Sequence, residues 1–141
     1  SGLSFVNAGN TAVQKNGNVR FAKPQMSIKE QLKYKFVLSL EGNDVATNLK
    51  WIMSSNSVCI MPRPKYETWF KEGTLIPNYH YIEVLDDYSN IKEIFEEYLK
   101  NEKECLSIIK NANNFVGGFL NYDQRLMISR LVVSRYQDLC N

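Results

Sequence analysis

The sequence predicts an α/β fold, a small and mainly parallel sheet with helices on both faces. Two short runs of β-forming apolar residues, at 36–40 and 57–61, have the continuous apolar character of strands that are buried on both sides. Between them, apolar residues recur at helical spacing. A strand, a helix and a second strand within so short a length predict a parallel pair with a right-handed connection.

The first elements follow from local signals. Residues 1–26 contain Gly and Asn pairs and little apolar periodicity, so we expect a partly disordered loop. Residues 27–141 are the predicted domain. Ser27, with Glu30 three residues later, forms a capping box that predicts a short helix before the first strand. The helix of the βαβ unit is predicted from apolar residues on one face. These residues are Val45, Leu49, Ile52 and Met53.

After the second strand, Pro62 and Pro64 predict an extended loop. A short helix with an inward aromatic face is predicted around Tyr66, Trp69 and Phe70. Residues 81–85 predict a third strand, and His80, the only histidine, is interpreted as a structural residue.

Three helices are predicted in succession at the end of the chain. The first spans 90–99, and the acidic pair Asp86 and Asp87 is interpreted as favouring its N-terminus rather than as a metal site. The second follows a break at Asn101 and ends at Gly117 and Gly118. The third begins at Asn121 or Asp123. Apolar stripes support each helix.

Composition excludes several classes of function. A 141-residue chain with 44% hydrophobic and 23% charged residues is typical of one globular domain, and it has no apolar run of about 20 residues that could span a bilayer. A net charge of +2 gives no argument for nucleic acid. Residues 1–40 carry six basic residues against one acidic residue, which fits anionic lipid, a phosphorylated acceptor or a solvated lysine face. Three widely spaced cysteines predict reduced thiols, with Cys59 in the core.

The turn at 41–44 is the first candidate site. It follows the carboxyl end of the first strand, where open α/β sheets bind ligands, and it precedes a helix whose free N–H groups favour a phosphate or another anion. An alternative stays open, in which Asn43 or Asp44 only caps the helix and Gly42 only lets the chain turn.

The ordered series of features resembles glycosyltransferase family 90, which includes protein O-glucosyltransferases, fungal capsule xylosyltransferases and bacterial enzymes of lipopolysaccharide-core assembly. The run GNDVATNLKW after the first strand, the segment YETWF and the triplet YHY before the third strand carry the resemblance, over roughly residues 27–119. The amino-acid sequence of the whole run is most similar to the bacterial branch of the family. One position departs from the family's pattern, because Asn48 occupies the place where many eukaryotic members have an arginine.

The resemblance implies the C-terminal, donor-binding half of a GT-B glycosyltransferase, with residues 1–26 as a remnant of the interdomain connection. The enzyme would move a hexose or pentose from a UDP-sugar to a hydroxyl of a glycan or lipopolysaccharide core. Glu67 would accept hydrogen bonds from ribose or sugar hydroxyls, and Arg63 or Lys65 would supply the charge that Asn48 lacks. The predicted donor-binding residues are Gly42, Asn43, Asp44, Val45, Ala46, Thr47, Asn48, Lys50, Arg63, Tyr66 and Glu67.

In this family the acceptor base is an aspartate of the N-terminal domain, so we expect no catalytic residue within this chain. Family members also need no metal for the diphosphate, so we expect no metal and no cofactor. The expected partners are the nucleotide sugar, the glycan acceptor and the N-terminal domain of the same enzyme. The expected location is the cytoplasm, with peripheral contact at the inner face of the bacterial inner membrane left open. Two alternatives remain, a non-catalytic module that recognises a nucleotide or partner protein, and an assembly domain that docks through its terminal helix and basic front.

Overall fold

The computed structural model describes residues 24–140, so most of the loop predicted for residues 1–26 lies outside the described residues. A capping box between Ser27 and Glu30 opens the first helix, as predicted. The elements in chain order are α1 (Ile28–Gln31), β1 (Phe36–Leu38), α2 (Leu49–Met53), β2 (Val58–Met61), a 3₁₀ turn (Glu72–Thr74), β3 (Ile82–Glu83), α3 (Ile91–Lys100), α4 (Glu102–Gly117) and α5 (Tyr122–Cys140).

The three strands form one parallel sheet in the order β1-β2-β3, which confirms the predicted α/β class. Phe36 pairs with Val58, and Ile60 pairs with Ile82. β3 is shorter than predicted, although the Val84 N–H continues the pairing through a bond to the Met61 carbonyl. Since all strands run in the same direction, their carboxyl ends meet at one edge of the sheet.

Both faces of the sheet are covered, which explains the continuous apolar runs. Alternate residues of β2 belong to two separate clusters. Cys59 and Met61 pack with α2 on one face, and Val58 and Ile60 pack against residues of α3 on the other. The three cysteines are free thiols, and Cys59 is buried in the core as predicted.

α4 contributes to both clusters. Cys105 and Ile108 near its start belong to the cluster that includes residues of α3, whereas Ala112 and Val116 near its end belong to the cluster that includes α2. The side chain of Asn113 donates to the carbonyl oxygens of residues 53 and 55, at 3.1 and 2.9 Å. These carbonyls lie at the end of α2 and in the turn before β2, so Asn113 ties α4 to the amino end of the sheet.

α2 begins later than predicted. Its first residue is Leu49, and Val45 is not helical. The Asn48 amide donates to the Leu38 carbonyl at 2.9 Å and accepts from the Ser39 hydroxyl at 3.0 Å. These bonds hold the chain against the end of β1. Residues 42–44 form bends, residues 45 and 46 have no regular structure, and none of them is helical.

The prediction of a short helix around Tyr66, Trp69 and Phe70 is wrong. Residues 62–68 have no regular structure, as the two prolines predict for the first part of this segment. The backbone N–H of Thr68 donates to a Glu72 oxygen at 2.6 Å, and its hydroxyl donates to the other oxygen at 2.7 Å. A side chain thus takes the place of helical bonding. Phe70 is buried, but Trp69 is 64% exposed.

The predicted C-terminal helices are present, but the interpretation of the acidic pair is wrong. Asp87 accepts from the Ser89 N–H and hydroxyl, and Asp86 pairs with Lys65, so neither caps α3. Asn121 begins α5 by accepting from the Gln124 N–H at 3.1 Å. Every residue of α5 is exposed, including those of its predicted apolar face. Within residues 24–140 no helix has the length and hydropathy needed to cross a membrane.

A pair of substitutions in α4 tests the packing. Ile108 is 2% exposed and Leu106 is 59% exposed on the same helix. We expect Ile108→Ala to lower the free energy of unfolding by about 2–5 kcal/mol, because it leaves a cavity in the core. Leu106→Ala is the control, with an expected change within about 0.5 kcal/mol. Urea unfolding measures both, and equal effects would contradict the assigned packing.

Candidate functional site

A cleft of about 210 Å³ lies at the carboxyl edge of the sheet. Its walls come from the segments that follow all three strands, which is where parallel α/β sheets bind ligands. The residues that line it are Ser39, Glu41, Gly42, Ala46, Leu49, Met61, Pro62, Arg63, Pro64, Lys65, Tyr66, Glu72, Asp86 and Tyr88.

The loop after β2 forms one side of this cleft, and Glu41 holds this loop in place. One oxygen of the Glu41 carboxylate accepts from the Lys65 backbone N–H at 3.0 Å, and the other accepts from the Tyr66 N–H at 3.3 Å. On the opposite side, Lys65 Nζ lies 2.9 Å from the Asp86 carboxylate, with both side chains 62% exposed. The loop is therefore tied to the segments after β1 and after β3.

The charges around the cleft are mostly paired. Lys65 pairs with Asp86, and Lys50 Nζ lies 3.4 Å from a Glu72 oxygen. Within the described part of the chain, Arg63 is the cleft-lining cation that has no carboxylate within salt-bridge distance. Arg63 is an exposed residue, so its charge is available to an anion that enters the cleft.

Glu72 is a buried carboxylate in the wall of the cleft, with only 1% of its surface exposed. Burial alone would raise its pKa, but the hydrogen bonds from Thr68 and the charge of Lys50 outweigh burial. They hold the pKa of the Glu72 carboxyl below its ordinary value of 4.5. Lys50 also lies over the rings of Trp69 and Phe70, at 5.5 and 5.2 Å from their centroids. This group fixes the segment between β2 and β3.

Four of the predicted donor-binding residues line the cleft together. They are Gly42, Ala46, Arg63 and Tyr66. A Cβ atom on Gly42 would meet no other atom within 4 Å, and Gly42 does not adopt a left-handed conformation. The turn therefore does not require glycine for its geometry, and the space beside Gly42 is open.

The structure places the other predicted residues elsewhere. Thr47 and Asn48 line a separate open groove beside α1, together with Trp51. The ammonium group of Lys50 is paired with Glu72. The carboxylate of Glu67 lies near Gly73, where an added Cβ would be 3.4 Å from Oε2. Asn43, Asp44 and Val45 are not among the residues that line the cleft.

The prediction that the turn offers free backbone N–H groups to an anion is wrong in part. The Val45 N–H donates to the Asp44 carboxylate at 2.7 Å, and the Gly42 N–H donates to the Asp44 carbonyl at 3.2 Å. In addition, α2 has only five residues, so its dipole is small. An anion in the cleft therefore depends on side-chain charge more than on a helix end.

Sequence reasoning gave no site role to four polar residues of the cleft lining, Ser39, Glu72, Asp86 and Tyr88, whereas Glu41 lies in the candidate turn and Lys65 is a candidate cation. Most of them follow a strand closely, and the rule that carboxyl ends of parallel strands share an edge is a signal that finds them. Glu72 has no such signal, because a glutamate is expected at the surface. Tyr88 adopts a left-handed backbone with φ of 57°, which is uncommon for a bulky residue.

Other candidate groups are structural. His80 is buried, and its Nδ1 accepts from the Ile76 N–H at 2.9 Å, in agreement with the predicted role. Burial lowers the pKa of His80 and raises the pKa of the Cys59 thiol to about 12. Residues 24–140 contain no group of three side chains that could hold a metal ion.

A three-stranded parallel sheet with flanking helices defines an α/β domain of the Rossmann-like type, and its cleft is at the edge where such sheets bind ligands. The sequence matches Glycosyl transferase family 90 over residues 2–140, and the chain belongs to that family. This confirms the resemblance described above.

The chain is similar to two known proteins over most of its length. It is 46% identical over 114 residues to O-glucosyltransferase LpsA of the bacterium Dichelobacter nodosus, a match that covers 81% of this chain and 36% of that protein. It is 27% identical over 113 residues to Uncharacterized protein 179R of Invertebrate iridescent virus 6, covering 71% of this chain and 9% of that protein. The chain therefore spans a minor part of either relative.

The pH dependence of stability tests the assignment of Glu72. A carboxyl with a lowered pKa in the folded state stabilises the fold above the pKa of the unfolded chain, and this contribution is lost as the pH falls through the folded-state pKa. We expect the free energy of unfolding of the wild type to fall more steeply than that of Glu72→Gln between about pH 5 and about pH 3.

Urea titrations at each pH measure these slopes. Glu93→Gln, on the exposed side of α3, is the matched loss of one carboxylate and should keep the wild-type slope. Parallel slopes for Glu72→Gln and the wild type would contradict the buried, charged state of Glu72.

Proposed function

We propose that this chain is the donor-binding half of a GT-B glycosyltransferase, and that the cleft at the carboxyl edge binds the diphosphate of a UDP-sugar. The sugar is a hexose or pentose, and the acceptor is a hydroxyl of a glycan or of a lipopolysaccharide core. The name of the relative LpsA, an O-glucosyltransferase, supports a glucosyl donor. Membership of Glycosyl transferase family 90 supports glycosyl transfer as the reaction class.

The observation that carries the proposal is the position of Arg63. Arg63 lines the cleft, and its guanidinium group has no carboxylate within salt-bridge distance among residues 24–140. In glycosyl transfer, negative charge develops on the departing diphosphate, and a fixed cation beside it lowers the barrier. A guanidinium group is suited to this task because it forms two parallel bonds to phosphate oxygens. Arg63 thus replaces the positive charge that Asn48 does not supply.

The remaining donor contacts are proposed from position. The open space beside Gly42 admits a phosphate close to the backbone, and Tyr66 lies on the same loop as Arg63. The cleft is smaller than the roughly 300–1,000 Å³ of most small-molecule sites. It therefore encloses only part of a nucleotide sugar, and a second wall is needed for the rest. Thr47, Lys50 and Glu67 stay predicted donor residues from the family resemblance.

We propose that the second wall is the N-terminal domain of the same enzyme. The chain covers 36% of the length of LpsA, so the relative has ample length for another domain. The exposed apolar side chains of α5 support contact with it. They include Leu131, Val132 and Leu139. The family resemblance implies that the acceptor base also belongs to this second domain. The cleft-lining carboxylates within residues 24–140 have other contacts. Glu41 accepts backbone N–H groups, and Glu72 and Asp86 are paired with lysines.

Titration calorimetry with UDP tests the donor site. We expect selective binding of UDP over GDP and ADP, and we expect Arg63→Met to raise the Kd about tenfold or more through loss of charged bonds to phosphate. Arg135→Met, on exposed α5, is the matched control and should bind as the wild type does. Thr47→Ala and Glu67→Ala test the two family-based predictions in the same titration.

Two results would contradict the donor site. If Arg63→Met binds UDP as tightly as the wild type, Arg63 does not hold the diphosphate. If the wild type binds none of the three nucleotides, the alternatives of a partner-binding module or an assembly domain are favoured.

Transfer by this chain alone is expected to be undetectable, because a donor site without an acceptor base cannot deprotonate the acceptor hydroxyl. An assay of sugar release from UDP-glucose in the presence of a lipopolysaccharide-core acceptor measures it. The matched comparison is the same assay with the chain joined to the remaining sequence of the enzyme. Acceptor-dependent turnover by the 141-residue chain would contradict the assignment of the base to another domain.

A further inference from the structure

Glu41 has a geometry that the proposed function does not use. Its two carboxylate oxygens accept from two consecutive backbone N–H groups, those of Lys65 at 3.0 Å and Tyr66 at 3.3 Å. These donors lie 24 and 25 residues further along the chain, on the loop after β2. Glu41 thus joins the end of β1 to the loop that presents Arg63.

Glu72 fixes the far end of this loop at Thr68, whereas the part that carries Arg63 has few other restraints. Residues 62–68 belong to no helix or strand, and two of the first three, Pro62 and Pro64, have no N–H to donate. The Lys65–Asp86 ion pair is on the surface, with both side chains 62% exposed, and such pairs contribute little. A carboxylate that accepts two backbone bonds is a stronger restraint, because charge-assisted bonds exceed neutral ones.

We propose that Glu41 is a positioning residue of the donor site, which holds the loop so that Arg63 faces the cleft. This inference rests on the proposed function. Glu41 does not contact the donor phosphates in this arrangement, because its negative charge would repel them, and the two N–H groups occupy its oxygens. Its effect on donor binding passes through Arg63.

A double-mutant cycle tests the proposal, with UDP as the titrant in calorimetry. Glu41→Gln keeps the size of the side chain but presents an NH₂ group to one of the two N–H donors, so one bond is lost. We expect it to raise the Kd for UDP about tenfold. In the Arg63→Met background the same change should have almost no effect, because the group that it positions is absent. Glu93→Gln on α3 is the matched control and should leave the Kd unchanged.

Hydrogen exchange provides a measurement that does not depend on the ligand. The amides of Lys65 and Tyr66 should exchange faster in Glu41→Gln than in the wild type and in Glu93→Gln, while core amides of β2 stay protected. Unchanged exchange at these two amides would overturn the proposal.

The outcomes separate the two proposals. An equal rise in Kd with and without Arg63 would overturn the positioning role of Glu41 and leave the donor site intact. Absence of UDP binding by the wild type would overturn the donor site and, with it, the role of Glu41 in that site. Non-additive effects on Kd together with faster exchange of the loop amides would establish the positioning role.

Discussion

β2 pairs in parallel with β1 on one side and with β3 on the other, and all four of its residues are buried. Two consequences follow from this arrangement. Both faces of the sheet must be covered, which fixes α2 and α3 on opposite sides and brings α4 across the amino edge. The carboxyl ends must also meet at one edge, and the segments that follow them line the cleft. The cleft exists because three loops leave the sheet at this edge.

The chemistry of the cleft depends on which charges are already paired. Two lysines near it have carboxylate partners, and both oxygens of Glu41 accept backbone N–H groups. Pairing in the cleft wall removes charge that would otherwise compete for a ligand, and it fixes the segments that form the wall. Arg63 is the cation that this pattern leaves available, on a loop that is restrained by prolines and by Glu41. The arrangement suits recognition of an anion at a fixed point.

Periodicity and strand length were sufficient to predict the parallel βαβ unit, the third strand and the three C-terminal helices, because those elements are determined by apolar patterns. The errors arise where a side chain competes with backbone bonding. Asn48 bonds to the end of β1 and delays α2, and Glu72 bonds to Thr68 and prevents a helix there. Four of the eleven predicted site residues line the cleft, since position after a strand is readable from sequence. Contacts such as Glu41 to Tyr66 depend on the relative placement of distant segments, which periodicity does not contain.

The most direct test of a donor site at the carboxyl edge is a map of backbone amide chemical shifts during addition of UDP to the isotope-labelled chain. The predicted result is a set of saturable shifts at Gly42, Arg63, Lys65 and Tyr66, with the amides of α4 and α5 unchanged. Shifts confined to α5 or to the groove beside α1, or no saturable shifts at all, would contradict it.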